Sequence, residues 1–305
     1  MKIVVFGSIN MDLTAYVPTF PTPGETLLGH SYITVPGGKG SNQAVAAARL
    51  GADVQFVGRV GDDLFGEEVL KIVNNENIDT SPVAIDKENG TGLAVINVDD
   101  KAENTIVVIS GANMALDEED VARAEGCLEG AKALLLQLEV PLEADLQIAE
   151  IAQRMNVQVI LDPAPAVPLP EKAYQVVNFI TPNETETEIL VGIKPSNTTE
   201  AAQAAKILHE RGVENVIIKM GSKGVYYDSK DGSGFIEPYK VNSIDSVAAG
   251  DAFNAGLAVA ISEGKPLAEA VRWGAAAGAI ATTRKGALPA MPHRTELLQL
   301  MEDQK

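Results

Sequence analysis

Apolar and polar positions follow two rhythms along this chain. Short, nearly unbroken apolar runs occupy 2–7, 54–60, 133–138, 157–161, 176–180 and 215–220. Runs of that length, without polar alternation, suit parallel strands covered on both faces. Stretches with helical spacing lie between and after them, at 42–50, 64–74, 117–128, 142–155, 198–211, 252–263 and 266–283. From residue 112 onward helix and strand alternate, the signature of a parallel sheet with helices on both sides. The expected fold is therefore α/β, a doubly wound, mostly parallel sheet.

Two insertions depart from this rhythm. In 13–35, strands at 14–17 and 31–35 flank the proline-rich turn Phe20-Pro-Thr-Pro-Gly-Glu25. In 91–110, strands at 91–98 and 104–110 are joined by a turn at 99–101. Paired together they would make a small separate β-sheet, a candidate lid or dimer contact, since closure over a site excludes water. A last hairpin is expected at 224–228 and 234–237. No repeat, low-complexity segment or long linker divides the chain, so 1–305 reads as a single domain carrying a lid.

Composition narrows the function. With 305 residues, 46% hydrophobic and 22% charged, the chain can bury a large core and is not of disordered type. A formal net charge of -18 repels nucleic acid and anionic membrane, which excludes both as partners. The single cysteine, Cys127, rules out an internal disulfide and a cysteine metal cluster. No run reaches the roughly 18 apolar residues of a membrane span, and the first residues lack a signal-peptide layout. A cytoplasmic location is expected.

Polar groups collect just after the expected strands: Asp12, Glu139, Asp162, Asn183, Gly221 and the pair Gly250-Asp251. In a doubly wound sheet these positions line one edge, where ligands bind. The stretch 245–256 holds Ala248, Ala249 and Gly250 at a helix start, where small residues and free N–H groups favour an anion. Asp251 in that first turn is a helix cap or a base for an incoming hydroxyl. Pro36-Gly-Gly-Lys-Gly-Ser-Asn-Gln43 opens another helix, but its spacing is not that of a Walker A loop. His30, His209 and His293 show no metal-site spacing, and G-x-S-x-G is absent. Gly7-Ser-Ile-Asn10 lacks the dinucleotide fingerprint, which argues against hydride transfer.

Several segments together carry a family resemblance. Gly7-Ser-Ile-Asn-Met-Asp12, Pro21-Thr-Pro-Gly-Glu25 and Gly37-Gly-Lys-Gly-Ser-Asn42 resemble the N-terminal, sugar-side signature of the ribokinase-like (pfkB-type) carbohydrate kinases. Asp245-Ser-Val-Ala-Ala-Gly-Asp-Ala-Phe-Asn-Ala-Gly256 resembles their C-terminal signature, and Thr181-Pro-Asn-Glu184 and Thr283-Arg-Lys-Gly286 also match. The resemblance spans nearly the whole chain. It implies ATP-dependent 5-phosphorylation of D-ribose, or the same transfer to deoxyribose, fructose or a nucleoside.

It also implies roles. Asp251 would be the general base, with Ala248, Ala249 and Gly250 the anion hole. Asn10, Asp12, Gly38, Lys39, Gly40, Asn42 and Glu139 would hold the sugar. Asn183, Lys219, Gly221, Ser222, Gly224, Gly250 and Ala275 would hold ATP, with Glu186 on the Mg2+ side. Asp245, Val247, Ala281, Arg284 and Gly286 would form a loop for an activating K+. A homodimer through the β lid is implied as well. Three positions depart from the family pattern: Ser246 for Thr, Lys219 for Thr near the nucleotide, and Ala275 for a polar residue near the adenine. Rival readings are a non-catalytic sugar-binding protein and a nucleotide-binding regulator.

Overall fold

The structure is a computed structural model that describes residues 1–305. The chain opens with β1 (Lys2–Phe6), whose side chains alternate between two apolar cores. Ile3 and Val5 face one core, Val4 and Phe6 the other, and all four are fully buried. Next come β2 (Asn10–Tyr16), β3 (Ser31–Gly37), α1 (Lys39–Arg49), β4 (Asp53–Val57), β5 (Arg59–Gly61) and α2 (Leu64–Asn74). They are followed by β6 (Ala84–Asp86), β7 (Gly92–Val98), β8 (Asn104–Ile109), α3 (Glu118–Cys127) and β9 (Ala131–Gln137). The regular half holds α4 (Leu142–Arg154), β10 (Gln158–Asp162), α5 (Glu171–Gln175), β11 (Phe179–Ile180), α6 (Glu184–Val191), α7 (Thr198–Glu210) and β12 (Asn215–Lys219). The hairpin β13 (Val225–Ser229) and β14 (Gly232–Ile236) precedes α8 (Ala249–Ser262), α9 (Leu267–Ala281) and α10 (Arg294–Asp303).

The large sheet has the order β14-β13-β12-β11-β10-β9-β1-β4. Strands β12 through β4 run parallel, and β13 and β14 add an antiparallel margin. One core packs under α1, α8 and α9, the other under α3, α4 and α7. From β1 the chain first moves outward to β4, then returns to β9 on the other side of β1. The winding reverses there, and the crevice at the carboxyl ends of β1 and β9 is where such a sheet takes its ligand.

The two insertions form a separate four-stranded sheet of order β3-β2-β7-β8. β2 pairs antiparallel with β3 and parallel with β7, while β7 and β8 form an antiparallel hairpin. Register places Asn10 beside both Gly37 and Gly92. β8 is the free edge, and Ile106, Val107, Val108 and Ile109 are each more than half exposed. No helix is long and apolar enough to cross a membrane.

Some expected elements change shape. The run 54–60 is broken: β4 ends at Val57, and β5 pairs with β6 in a two-stranded sheet of its own. Gly58 lies against the backbone leaving β1, where a Cβ would meet the Gly7 carbonyl at 2.7 Å. The run 176–180 contributes only Phe179 and Ile180 to the sheet. Asn178 uses its side-chain oxygen to accept the Val159 N–H at 2.9 Å, replacing a ladder bond. Of the two acidic residues before α2, Asp63 is the cap, accepting the Gly66 N–H at 2.8 Å. Helices α5, α6 and α10 and the short strand β6 have no counterpart among the expected elements.

Candidate active site

The site begins where α1 meets the end of β1. A Cβ on Gly40 would sit 2.6 Å from the Ser8 nitrogen, and one on Gly38 2.9 Å from the Asn10 nitrogen. Gly38 also has φ 87°, which favours glycine. Two residues without side chains therefore let the start of α1 rest on the backbone beyond β1. The helix starts at Lys39, three residues earlier than the Ala-rich pattern suggests, so Lys39, Asn42 and Gln43 all lie in its opening turns.

From the other end of the chain, α8 points its N-terminus at the same place. Ala248, just before the helix, is left-handed with φ 57°. A non-glycine residue there is strained, a condition that clusters at functional sites. Of the expected anion hole, the Ala249 N–H is taken by the Ser246 carbonyl at 3.3 Å, whereas the N–H groups of Gly250 and of the next residue, Asp251, donate to no backbone carbonyl. They are free donors at the positive end of a helix dipole.

Asp251 follows at once and is only 3% exposed. The Asn42 Nδ2 donates to its Oδ2 at 3.0 Å, and the Gln43 Nε2 to its Oδ1 at 3.2 Å. The same Gln43 amide reaches Asp162 Oδ2 at 3.1 Å, while Gln43 Oε1 accepts from the Gln137 amide at 2.9 Å. Gln137 thus fixes which end of the Gln43 amide faces the two carboxylates. Burial pushes the Asp251 carboxyl up to about 6, Lys39 and the two amides pull against it, and Asp162 adds to it. Burial works against the charge of Lys39, but Asp251, Asp162, Glu139 and Glu186 outweigh it and hold this lysine above its ordinary range.

Beside Asp251 lies the expected sugar side. Glu139 accepts from Ser8 Oγ at 2.5 Å and from the Lys39 N–H at 3.0 Å. Burial first, and then the nearby Glu139, push Asp12 up to about 6. Asn10 and Asp12 belong to β2 rather than to a turn after β1, so the small sheet itself presents them. Asn10 Oδ1 accepts from Asn113 Nδ2 at 2.6 Å. The buried Oδ1 of Asn42 has no partner within the protein, next to Asp251. A buried acceptor left over beside a carboxylate suits a hydroxylated ligand.

On the other side of Asp251 opens a cleft of about 1320 Å³. Asn183, Lys219, Gly221, Ser222, Gly224, Gly250 and Ala275 all line it, as do Glu186 and Lys39. Asn183 is not a free polar group after a strand. It caps α6, accepting from the Glu186 N–H at 2.9 Å, and its own N–H and amide donate to Glu186, each at 2.7 Å. Burial raises the Glu186 carboxyl, which Lys219 opposes and Asp162 reinforces. Lys219 donates to Asp162 Oδ1 at 2.9 Å.

Asp245 ties the loop after α9 to the start of α8. Its Oδ2 accepts the Gly286 N–H at 2.9 Å and its Oδ1 the Val247 N–H at 3.0 Å. The Thr282 carbonyl accepts from both Ile244 and Asp245, and the Ala281 carbonyl accepts weakly from the Arg284 N–H at 3.4 Å. The Arg284 side chain turns away to Glu296.

The expected residues therefore gather at one crevice, with Asp245 tying the segment before α8 to the loop after α9. Gln43, Gln137 and Asn113 join them without having been assigned roles. Gln43 adjoins the Gly37–Asn42 motif, which was a usable signal; Asn113 has no local one.

A family model described as "pfkB family carbohydrate kinase" matches residues 1–294. The chain is 44% identical to a ribokinase of Haemophilus influenzae, covering 98% of both chains. It is 37% identical to a deoxyribokinase of Salmonella typhi over 83% of both. Among solved structures, an Arabidopsis thaliana ribokinase complexed with ribose and ATP superimposes with a TM-score of 0.92 at 32% identity, over 98% of both chains. With the fold, the two signatures and these relatives in agreement, the chain belongs to the pfkB family of carbohydrate kinases.

Proposed function

We propose that this protein transfers the γ-phosphoryl group of ATP to the 5-hydroxyl of D-ribose, with Asp251 as general base. One observation carries the reading: a buried carboxylate, held by two amides, lies in the first turn of a helix with two free N–H groups. The ribose oxygen bonds to the γ-phosphorus, and the bond to the β,γ-bridging oxygen breaks with its electron pair leaving on ADP. The hydroxyl proton passes to Asp251. Phosphoryl transfer needs positioning and charge stabilisation more than covalent chemistry. The free N–H groups of Gly250 and Asp251 stabilise the moving phosphoryl oxygens. Asn10, Asp12, Gly38, Lys39, Gly40, Asn42 and Glu139 hold the sugar. ATP occupies the cleft along Asn183, Lys219, Gly221, Ser222, Gly224 and Ala275.

Glu186 offers hard carboxylate oxygens at the wall of the cleft, beside Asp162, a donor set that fits Mg2+ carried in with phosphates and waters. Bound there, Mg2+ would neutralise charge on the phosphate oxygens. Asp245 and the carbonyls of Val247, Ala281, Arg284 and Gly286 would be the oxygen donors for K+. The small sheet acts as a lid over the sugar. Its exposed edge β8 pairs the protein with a second copy, which covers an apolar strand otherwise open to water. We propose the cytoplasm as its location, a compartment that supplies ATP.

Deoxyribose is the second reading, favoured by the Salmonella deoxyribokinase. A coupled assay of ADP release with ribose, deoxyribose, fructose and adenosine separates the two. Ribose is expected to give the highest kcat/KM; a larger value for any other acceptor overturns the assignment.

A further inference from the structure

Lys219 stands at the end of β12 with its backbone pinned, since its N–H donates to the Pro182 carbonyl at 2.9 Å. Its ammonium is 2.9 Å from Asp162 Oδ1, and a Cβ on Gly250 would lie 3.4 Å from it. The same nitrogen is 6.0 Å from the centre of the Phe253 ring. A lysine head thus sits between a buried carboxylate and the helix start read as the anion hole. An ammonium carries three donors, and Asp162 is its one side-chain hydrogen-bond partner. Asp162, only 2% exposed, also accepts from Gln43 at 3.1 Å, so it keeps a donor if the ammonium shifts.

We propose that Asp162 competes with the incoming phosphate for Lys219, and that Lys219 moves its charge from this carboxylate to the phosphates of the nucleotide beside Gly250. The inference rests on the ATP-kinase reading above. A flexible, strongly hydrated point charge suits this shuttling better than a rigid fork would. A phosphate carries more charge than a carboxylate and accepts charge-assisted hydrogen bonds well. Gln43 holds Asp162 once Lys219 has gone, so the move leaves no bare buried anion. A Thr in this place would offer a hydroxyl and no charge to exchange. Lys219 therefore makes nucleotide affinity depend on Asp162, at the end of β10, two strands along the sheet from β12.

The test measures binding of β,γ-methylene-ATP with Mg2+ by calorimetry, with and without D-ribose, beside steady-state ADP release. Lys219→Met is expected to weaken nucleotide binding about tenfold to a hundredfold, the scale of a hydrogen bond to a charged group. Asp162→Asn is expected to tighten it severalfold, because the ammonium is released. The double variant Lys219→Met/Asp162→Asn removes the buried unpaired charge that could unfold the single Lys219 variant. It is expected to melt near the wild type yet bind like Lys219→Met. A merely structural ion pair would give no tightening in Asp162→Asn. Unchanged or weaker binding in Asp162→Asn, or wild-type binding by the double variant, overturns the proposal. Wild type that binds the nucleotide but releases no ADP with any sugar would instead sink the kinase reading and leave these binding outcomes decisive. Wild type that does not bind it overturns both.

Discussion

The side-chain amide of Asn42 donates to Asp251 at 3.0 Å across 209 residues of chain. This bond joins the N-terminus of α1 to the N-terminus of α8, and so joins the sugar-side motif to the anion site. Every element of the proposed reaction is placed relative to it. Because the amide nitrogen is committed to Asp251, the unpartnered Asn42 oxygen is left to face a ligand.

The pH profile follows from Asp251. As the proposed base it works as the carboxylate, and burial pushes that carboxyl up to about 6. Turnover should fall about tenfold per unit below pH 6, as the base takes up a proton. Gln43→Leu removes a donor that favours the charged form, so the acid limb should move to higher pH. A profile flat down to pH 5, or a limb that moves to lower pH in Gln43→Leu, would contradict the assignment.

Gly92 is a test of the sugar side. A Cβ there would lie 2.1 Å from Asn10 Oδ1 and 2.3 Å from Asn113 Nδ2, both side chains buried. Gly92→Ala must displace Asn10. The KM for the sugar should rise about tenfold or more, while that for ATP changes little. Some stability should also be lost, about 1–3 kcal/mol for an overpacked site. Equal effects on both KM values would place Asn10 outside the sugar site.

Asp245 tests the cation loop. Its bonds to the N–H groups of Gly286 and Val247 tie the loop after α9 to the segment leading into α8 and the proposed anion hole. For wild type, turnover in KCl should exceed turnover in tetramethylammonium chloride by about fivefold or more, the usual scale of coupling between sites. Asp245→Ala should bring that ratio to about one. A ratio unaltered by the substitution would remove Asp245 from the cation site.

Asp145 concerns stability alone. It is buried in α4, and neither carboxylate oxygen has a partner. Burial holds its pKa well above the ordinary value, so the folded chain keeps a proton that the unfolded chain releases above about pH 4. That linkage weakens the fold as pH rises. Asp145→Asn should stabilise by about 1–3 kcal/mol at pH 7 and by less at pH 4, read as melting temperature. Equal shifts at both values of pH would show that the charge was not the cause.

Much of this architecture was legible from pattern. Unbroken apolar runs marked the parallel strands because both faces of the sheet are covered. The hairpins at 14–35 and 91–110 were readable from strand composition and turns; their joining through a parallel β2–β7 pair was not, since pairing between insertions is non-local. Helix α6 was hidden because Thr181-Pro-Asn-Glu-Thr-Glu186 has little apolar periodicity, although Asn183 and Glu186 spell a capping box. The split after Val57 depends on how closely β1 passes Gly58, which no local pattern records. At the candidate site, residues in glycine-flanked motifs stand out locally in the sequence. Gln137 and Asn113 do not, because each acts through a partner about a hundred residues away.

The most direct test is single: kcat with ATP and D-ribose for wild type and Asp251→Asn, with ribose affinity measured by calorimetry on both. Asparagine keeps the shape and cannot accept the proton, so kcat should fall by about a hundredfold to ten-thousandfold. Ribose affinity should stay within about threefold, because the sugar is held mainly by other groups. An Asp251→Asn enzyme that turns over at near the wild-type rate would contradict the assignment of Asp251 as the base.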